Sequence, residues 1–327
     1  MFPKRDRRAL RASISVVIPA YNCELTIKET LDSVLRQTVP PDEVLVLNDG
    51  STDRTAPILD SYTPGITVLS QRNAGVASAL NVLCNHAQGD LIARLDSDDI
   101  WHARYLEVQL RMFEEHPGAV AYFTGHLNFV GYGDYKWKSD PYEQSAEIQV
   151  IAPLQFLKSY NSAPGPFMCM SHCCVPKSVF ASLGDQPFKL RMAEDLYFFN
   201  LVAPSGSIIF LPKPMTAYRV REGSLSSDRL LLTQAEVRAF ELLTEHYESI
   251  SDPGLRRVFR ESFATKRRVH AKVLLGAGQA RLARAQLVRS ISNSLDALSL
   301  AKSLRLLLLS YLPSSLQPRW PSSQREL

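Results

Sequence analysis

Residues 91–99 are Leu-Ile-Ala-Arg-Leu-Asp-Ser-Asp-Asp, a short apolar run that ends in three carboxylates. The run predicts a buried strand, which places the acidic cluster at the carboxyl end of that strand, where open α/β sheets bind ligands. Adjacent carboxylates repel one another and are costly to desolvate, so a divalent cation carrying a phosphorylated substrate is one interpretation. The other interpretation is that Asp98 or Asp99 caps a helix that begins near His102.

Strand-like and helix-like patterns alternate on the amino-terminal side of this cluster. Strands are predicted over residues 14–18, 44–47, 66–69 and 91–95, and helices after Thr26, from about Thr52 and over residues 76–83. This β-α-β-α-β-α-β order favours a mostly parallel, doubly wound sheet. Neither G-x-G-x-x-G nor G-x-x-x-x-G-K-[ST] follows the first strand, which argues against a dinucleotide-binding Rossmann domain and against a P-loop enzyme.

Size and composition indicate a globular protein. The 327 residues suffice for one large domain with an appendage or for two domains. The sequence contains no apolar stretch long enough to span a bilayer. Five cysteines are few and odd in number, which does not suggest a disulfide framework and predicts a cytoplasmic location.

The carboxyl-terminal region is basic. Residues 253–327 contain 14 Lys and Arg against 3 acidic residues, so residues 1–252 carry a net charge of −7 within a total of +4. This asymmetry suggests contact with an anionic membrane surface or polyanion, and a solvated helical face is the alternative. Residues 299–311 form an apolar helix candidate that is too short to span a membrane. It could lie on a bilayer, but we favour packing as an ordinary core helix.

The middle of the chain, residues 119–218, predicts mixed sheet and long loops. Two strands are expected there, over residues 120–123 and 127–130. Long loops beside a parallel sheet commonly shape a substrate site.

Five segments occur in a recognisable order. They are Val-Ile-Pro-Ala-Tyr-Asn at 17–22, Asn-Asp-Gly-Ser-Thr-Asp at 48–53, Gln-Arg-Asn-Ala-Gly at 71–75, Asp-Ser-Asp-Asp at 96–99 and Glu-Asp-Leu-Tyr-Phe at 194–198. Together they resemble the family 2 glycosyltransferases over residues 13–226. The resemblance implies an α/β GT-A fold, Rossmann-like with a mostly parallel sheet. It also implies three regions: a basic tail (1–12), the GT-A domain (13–226) and a basic, mainly helical extension (227–327).

The resemblance also implies a nucleotide-sugar site at the strand ends. Pro19 and Tyr21 would cradle the base, and Asp49 would accept the ring N–H of a uracil. Asp53 would support the loop or start the next helix.

A turn after the third strand belongs to the same implied site. Arg72 would meet phosphate there, beside Asn73, and Gly75 would let the backbone approach the nucleotide. Residues 218–226, Tyr-Arg-Val-Arg-Glu-Gly-Ser-Leu-Ser, resemble the segment that closes over the diphosphate in many relatives. Arg221 in this segment, where many relatives carry His, would neutralise phosphate but cannot ligate a metal.

The acidic cluster resembles the family's D-x-D motif. Asp96 would contact ribose and the metal shell, and Asp98 would ligate Mn²⁺ or Mg²⁺ bridging the diphosphate. The cation would offset charge that develops on the departing nucleotide diphosphate. Asp99 is expected to cap the following helix.

Asp195 resembles the family's general base, which deprotonates the acceptor hydroxyl in an inverting displacement. It is expected at a helix start beside apolar residues, with Glu194 orienting the acceptor or the base. A helix-capping role for this pair is the alternative.

Cys169, His172, Cys173 and Cys174 form the one cysteine-rich stretch. They lack a C-x-x-C pair, so small residues lining an acceptor-side strand are a better interpretation than a zinc site. We expect His172 to face the sugar or acceptor pocket.

The sequence thus predicts a metal-dependent, inverting hexosyltransferase of polysaccharide biosynthesis. Its donor would be a nucleotide sugar, most simply a UDP-sugar, and its acceptor a glycan or lipid-linked hydroxyl, with no nucleic-acid partner. Peripheral contact with the inner face of the membrane through the basic region is a further hypothesis. Alternatives are an inactive nucleotide-sugar or glycan binding module and a nucleotidyltransferase, although residues 19–22 offer no glycine-rich triphosphate loop.

Overall fold

The computed structural model of the protein describes residues 11–133, 135–138, 140–141, 146–162, 169–184, 186–221, 227–312 and 317–321. They form two compact units. The first takes described residues from 1–151, 168–188 and 206–220, and the second takes those from 152–167, 189–205 and 221–327. The predicted domain limits follow chain order and stay a prediction.

One sheet forms the centre of the first unit. The strands within the described residues are β1 (Ile14–Ala20), β2 (Glu43–Asn48), β3 (Thr67–Ser70), β4 (Leu91–Arg94), β5 (Ile100–Trp101), β6 (Ala121–Phe129), β7 (Gln149–Ile151), β8 (Cys173–Pro176) and β9 (Ile208–Arg219). Their order is β3-β2-β1-β4-β8-β6-β9-β5, and β7 pairs with β9. Six of these described strands run in one direction, and β5, β7 and β8 run against them. The predicted mostly parallel sheet is confirmed.

Helices of the first unit cover this sheet. They are α1 (Ile27–Leu35), α2 (Thr55–Asp60), α3 (Val76–His86), α4 (Tyr105–Glu115) and α6 (Lys177–Ser182). Alternate residues of β1 pack with the apolar side of α1 in one core, as the period-two and helical patterns predict. The four strands and three helices predicted before residue 96 are confirmed.

Two sequence-based boundaries differ from the structure. α2 begins at Thr55 rather than about Thr52, because Asp53 accepts hydrogen bonds from the backbone N–H groups of Thr55 (2.9 Å) and Glu24 (3.1 Å) and holds the preceding turn. The two strands predicted over residues 120–130 are one strand, β6, whose register against β9 shifts on both sides of Gly125. A Cβ at Gly125 would lie 3.0 Å from the backbone of Lys213, so a glycine at the bulge permits the close approach of β6 and β9.

The second unit is helical. It contains α5 (Pro153–Tyr160), α7 (Glu194–Val202), α8 (Arg229–Ser249), α9 (Pro253–Gly276), α10 (Ala280–Asn293) and α11 (Ala297–Leu309). Stacked rings of Phe240, Phe259 and Tyr247 join α8 to α9. The predicted helical extension is confirmed. The expectation of an ordinary core helix at residues 299–311 holds in part: Leu306 and Leu307 pack against the core of the second unit. The most buried residues of α11 are serines, however, and several of its leucines are exposed. Among the described helices, none is both long and apolar enough to cross a bilayer.

Candidate nucleotide-sugar site

Two loops at the carboxyl ends of β1 and β2 are tied together. The Asn22 side-chain oxygen accepts a hydrogen bond from the backbone N–H of Thr52 (2.8 Å), and the Asn22 N–H donates to the Ser51 hydroxyl (3.1 Å). Asn22 has a left-handed backbone with φ 46°, which asparagine tolerates better than most residues. The turn leaves the preceding Tyr21 48% exposed, so its ring is accessible at the end of β1, beside the half-buried Pro19.

Asp49 organises the turn that follows β3. One carboxylate oxygen accepts from the Gln71 side chain (2.7 Å) and the Ala74 N–H (2.9 Å), and the other accepts from the Gly75 N–H (2.8 Å). Asp49 is itself buried. A carboxylate offers about four lone-pair sites, so this supporting role uses three of them. The structure therefore joins Asp49, Arg72, Asn73 and Gly75 in one assembly with Arg72 and Asn73 exposed. The role of Asp49 toward a base stays a prediction.

Gly50, which the sequence analysis did not single out, permits this assembly. Its φ is +72°, and a Cβ there would lie 2.8 Å from the backbone nitrogen of Asn73. We expect Gly50→Ala to separate the two turns, lowering the free energy of unfolding by about 1–3 kcal/mol and weakening nucleotide binding. Thermal unfolding with and without nucleotide measures both effects.

Gly278→Ala is the matched control for that substitution. Gly278, between α9 and α10, has a similar φ of +74°, but a Cβ there meets nothing within 4 Å. It should cost backbone strain without loss of nucleotide binding. Equal losses of binding in both variants would contradict the role assigned to Gly50.

The acidic loop after β4 is held by α1. Thr26 donates its hydroxyl to the carbonyl of Ser97 (2.8 Å), and Thr30, one turn later, donates to the carbonyl of Asp99 (2.9 Å). Thr26 occupies the cap position of α1 as predicted, although its side chain makes no capping hydrogen bond. The two threonines thus fix the backbone of residues 96–99 through contacts invisible to a local pattern.

Asp96 forms an ion pair with Arg94, the last residue of the preceding strand β4. Both Nε (2.9 Å) and Nη2 (2.7 Å) of Arg94 contact Asp96 Oδ1, and the Asp96 N–H donates to the Ser171 hydroxyl (3.0 Å). The Arg94 side chain is 6% exposed. Sequence reasoning missed Arg94, although a charged residue within an otherwise apolar run was the available signal.

Asp99 does not cap the following helix, so that prediction is wrong. α4 begins at Tyr105 with Arg104 at its cap position, whereas Asp99 is fully buried and accepts a hydrogen bond from the Arg219 N–H (3.0 Å). Burial, reinforced by the charges of Asp98 and Asp96, raises the pKa of Asp99 well above its usual range. Within the part of the chain that the structure describes, the second oxygen of Asp99 has no hydrogen-bond partner. A bound cation would compensate such a carboxylate.

Arg219 closes the loop from the end of β9. Its side chain is 1% exposed and forms an ion pair with Glu29 of α1 at 2.5 Å. Its Nε donates to the carbonyl of Asp98 (2.8 Å), and its guanidinium lies 4.5 Å from the ring centroid of Phe129. One buried cation therefore links α1, β6, β9 and the acidic loop. Arg219 lies in the segment 218–226, but no local pattern predicted this role for it.

The potential metal ligands differ in part from the predicted pair. Within the described residues, Asp96, Asp99 and Cys169 each place one ligand atom within 4.8 Å of the others. Asp98, which lies in the same loop, is not in that group. Carboxylate oxygens suit Mn²⁺ and Mg²⁺, so the acidic residues fit a divalent cation. The assignment of Asp96 and Asp98 as ligands stays a prediction.

Two stacked histidine rings, those of His126 and His172, lie next to Cys169. His172 is fully buried, stacks on His126 with centroids 4.3 Å apart, and has its Nε2 3.4 Å from Cys169 Sγ. Burial, together with the neighbouring His126, lowers the pKa of His172 well below its usual range, so the ring is neutral. Cys173 and Cys174 are buried in β8. In the described part of the chain, His172 joins no group of three potential metal ligands.

Glu194 and Asp195 form the first turn of α7 in the second unit, as predicted for a helix start. The preceding Ala193 has φ 58°, and Asp195 Oδ1 accepts from the Leu196 N–H at 2.7 Å. Further along α7, Asn200 and Asn161 exchange two side-chain hydrogen bonds of 2.7 and 3.0 Å. The acidic pair therefore starts a helix that is anchored to α5.

Arg221 is exposed and belongs to the second unit. Residues 222–226 of the predicted diphosphate-closing segment lie outside the described residues.

Comparison with sequences identifies relatives. Glycosyltransferase GlyA of Streptococcus pneumoniae is 31% identical over 229 residues, covering 65% of this chain and 31% of that protein. Escherichia coli WfgD, a UDP-Glc:alpha-D-GlcNAc-diphosphoundecaprenol beta-1,3-glucosyltransferase, is 43% identical over 125 residues, covering 38% of this chain and 46% of that protein. The matched part thus spans less than half the length of either relative.

Solved structures share the fold. Staphylococcus aureus TarS 1–349 in complex with UDP-GlcNAc superposes with a TM-score of 0.69 at 18% identity, over 91% of this chain and 90% of that chain. The mannosyltransferase PcManGT from Pyrobaculum calidifontis, in complex with GDP-Man and Mn²⁺, gives 0.57 at 20% identity, over 91% and 81%. The predicted GT-A fold is confirmed. The profile of Glycosyl transferase family 2 matches residues 15–183, more than half of the 327 residues, and the protein therefore belongs to glycosyltransferase family 2.

Proposed function

We propose that the protein transfers a sugar from a nucleotide-diphosphate donor, a UDP-sugar, to a hydroxyl of a glycan or lipid-linked acceptor, with inversion and with a divalent cation. One observation carries this proposal. β2, β1 and β4 are neighbours in the sheet, and the tied loops, the Asp49 assembly and the acidic loop follow their carboxyl ends. This edge of an α/β sheet is where nucleotides bind.

The donor would lie across these loops. Pro19 and the accessible ring of Tyr21 would cradle the base, and Asp49 would accept the ring N–H of uracil. Arg72 would meet phosphate, and Asp96 would contact ribose. Support for a UDP-sugar comes from relatives, since TarS was solved with UDP-GlcNAc and WfgD carries UDP-Glc in its name.

Asp96 and Asp98 would hold Mn²⁺ or Mg²⁺, with Asp99 close by. When bound, the cation offsets negative charge on the departing diphosphate. Support comes from the uncompensated buried oxygen of Asp99 and from the Mn²⁺ in the PcManGT complex.

Asp195 would act as general base. Its carboxylate takes the proton of the acceptor hydroxyl while that oxygen bonds to the anomeric carbon, and the bond from that carbon to the diphosphate breaks on the opposite face. Glu194 would orient the acceptor or the base, and Arg221 would neutralise phosphate.

The proposed acceptor and location are supported by the same relatives and by the cysteines. The name of WfgD includes a diphosphoundecaprenol acceptor, which supports a lipid-linked hydroxyl. All five cysteines are free and buried, which supports a reducing cytoplasmic environment. There the protein would make peripheral contact with the inner face of the membrane.

A screen of nucleotide sugars with and without Mn²⁺ tests the donor assignment. We expect one class of nucleotide sugar to raise the melting temperature in the presence of Mn²⁺, because a ligand at 100 times its Kd adds about 2.7 kcal/mol to the free energy of unfolding. Asp98→Asn should abolish the Mn²⁺-dependent part of this gain.

Asp60→Asn is the matched control, since Asp60 is an exposed carboxylate at the end of α2. It should retain the full gain. If no nucleotide sugar shifts the melting temperature under either condition, the donor assignment is wrong.

A further inference from the structure

The last described helix, α11, packs Leu306 and Leu307 against the core but leaves most of its other leucines facing solvent. α11 buries Ser299 and Ser303, which are 6% and 0% exposed. It presents to solvent an outer leucine face, defined here as Leu298, Leu304, Leu308 and Tyr311, which are 65%, 43%, 71% and 66% exposed. An ordinary surface helix would place leucines inward and serines outward.

Polar contacts fix this orientation. Arg268 of α9 is 8% exposed, and its Nη1 donates to the hydroxyls of Ser299 (2.9 Å) and Ser303 (3.2 Å). The Ser303 hydroxyl also lies 2.9 Å from that of Ser290 on α10. Rotating α11 to bury its leucines would leave the Arg268 guanidinium without these acceptors, which is costly for a buried charge.

A second arginine secures the carboxyl end of the helix. Arg284 donates from Nη2 to the Ser310 carbonyl (2.7 Å), and its guanidinium lies 3.9 Å from the ring centroid of Tyr311. The ring therefore has one face against Arg284 and stays in the outer leucine face. Fixed at both places, the exposed leucines are a feature of the folded unit and not of a fraying end.

Basic residues accompany the outer leucine face. Lys302 and Arg305 are exposed on α11, and Arg289 is exposed on the neighbouring α10. Two acidic residues near the start of α11 are already engaged. Asp296 accepts from the Ser299 N–H at 2.7 Å, and Glu261 of α9 accepts from the Leu295 N–H. Leucines flanked by cations are typical of helices that lie on anionic bilayers.

We propose that the outer leucine face of α11 inserts in the plane of a membrane surface rich in anionic phospholipid. Thirteen residues of helix measure about 20 Å, too short for a hydrocarbon core of about 30 Å, so the helix lies along the surface. A second copy of the chain would bring two like-charged regions together, each with 14 Lys and Arg against 3 acidic residues in 253–327, whereas an anionic surface is complementary. This proposal deepens the peripheral contact of the proposed function and rests on it.

Flotation with vesicles tests the proposal on the full chain. The wild type should bind vesicles of equal parts phosphatidylcholine and phosphatidylglycerol, with much weaker binding to pure phosphatidylcholine. Leu304→Ser/Leu308→Ser should lower the partition coefficient by at least about tenfold, because two apolar side chains no longer leave water. Lys302→Glu/Arg305→Glu should also lower it by at least about tenfold, and high salt should weaken wild-type binding.

Leu35→Ser/Leu231→Ser is the matched control, since these leucines are 43% and 52% exposed on α1 and α8. It should bind vesicles like the wild type. Every variant should keep its melting temperature and its gain from nucleotide sugar, which separates failure here from failure of the donor assignment. Wild-type binding by Leu304→Ser/Leu308→Ser would overturn the proposal. So would a wild-type dimer in light scattering that this variant converts to a monomer while vesicles stay unbound.

Discussion

Asp195→Asn should lower the rate of sugar transfer by about 10²- to 10⁴-fold, the range that a positioned general base contributes. The amide cannot take the proton of the acceptor hydroxyl, so the attacking oxygen remains a weak nucleophile. The residues assigned to the donor belong to the first unit, apart from Arg221, whereas Asp195 belongs to the second. Nucleotide-sugar binding, measured by thermal shift, should therefore be unchanged.

The substitution retains the hydrogen bond that Asp195 makes at the start of α7. Asp195 Oδ1 accepts a hydrogen bond from the Leu196 N–H, and an asparagine oxygen can accept the same bond. The start of α7 should therefore survive, and any loss of rate should come without a loss of melting temperature.

Glu194→Gln is the internal control, since it removes the neighbouring carboxylate of the same helical turn. We expect a smaller loss of rate from it. If Asp195→Asn transfers sugar at close to the wild-type rate, Asp195 is not the base, and its place at the start of α7 is explained by helix capping alone.

Local patterns predicted the first half of the fold well. The alternating apolar residues of β1 and the helically spaced apolar residues of α1 are buried in the same core. The face that each sequence period predicts is therefore the face that is buried. The loops that carry the motifs follow from that order, because consecutive parallel strands bring their carboxyl ends to one edge. The prediction of two strands in place of β6 was wrong, because the bulge at Gly125 depends on how closely Lys213 approaches from another strand.

The support of the acidic loop was beyond sequence reasoning. Glu29 and Arg219 are 190 positions apart, and nothing in either neighbourhood signals that they meet. Asp99 was expected to cap a helix because capping is the common local use of an aspartate. Instead, Asp99 Oδ1 accepts a hydrogen bond from the Arg219 N–H of β9.

α11 was predicted only in part, for a related reason. Its many leucines favour a core helix when only composition and period are counted, and Leu306 and Leu307 do pack against the core. Other leucines face solvent because Arg268, a buried cation of another helix, uses Ser299 and Ser303 as oxygen acceptors.

Arg219→Met should lower the free energy of unfolding by about 3–5 kcal/mol, because it leaves the Glu29 carboxylate buried without its cation. The Arg219 and Glu29 side chains are 1% and 15% exposed, so solvent does little to compensate. The carbonyl of Asp98 also loses its contact with Arg219 Nε, which should weaken Mn²⁺-dependent nucleotide binding. Denaturant unfolding measures the first effect, and the nucleotide-induced gain in melting temperature measures the second.

A double-mutant cycle with Glu29→Gln separates the ion pair from packing. The double variant removes the uncompensated charge, so it should be less destabilised than the sum of the single variants. Arg36→Met provides the exposed counterpart, since Arg36 is 79% exposed in its pair with Asp32 on the same helix, and it should cost no more than about 0.5 kcal/mol. If Arg219→Met costs as little as Arg36→Met, the buried pair does not hold the acidic loop. A large cost with undiminished nucleotide binding would confine the role of Arg219 to stability.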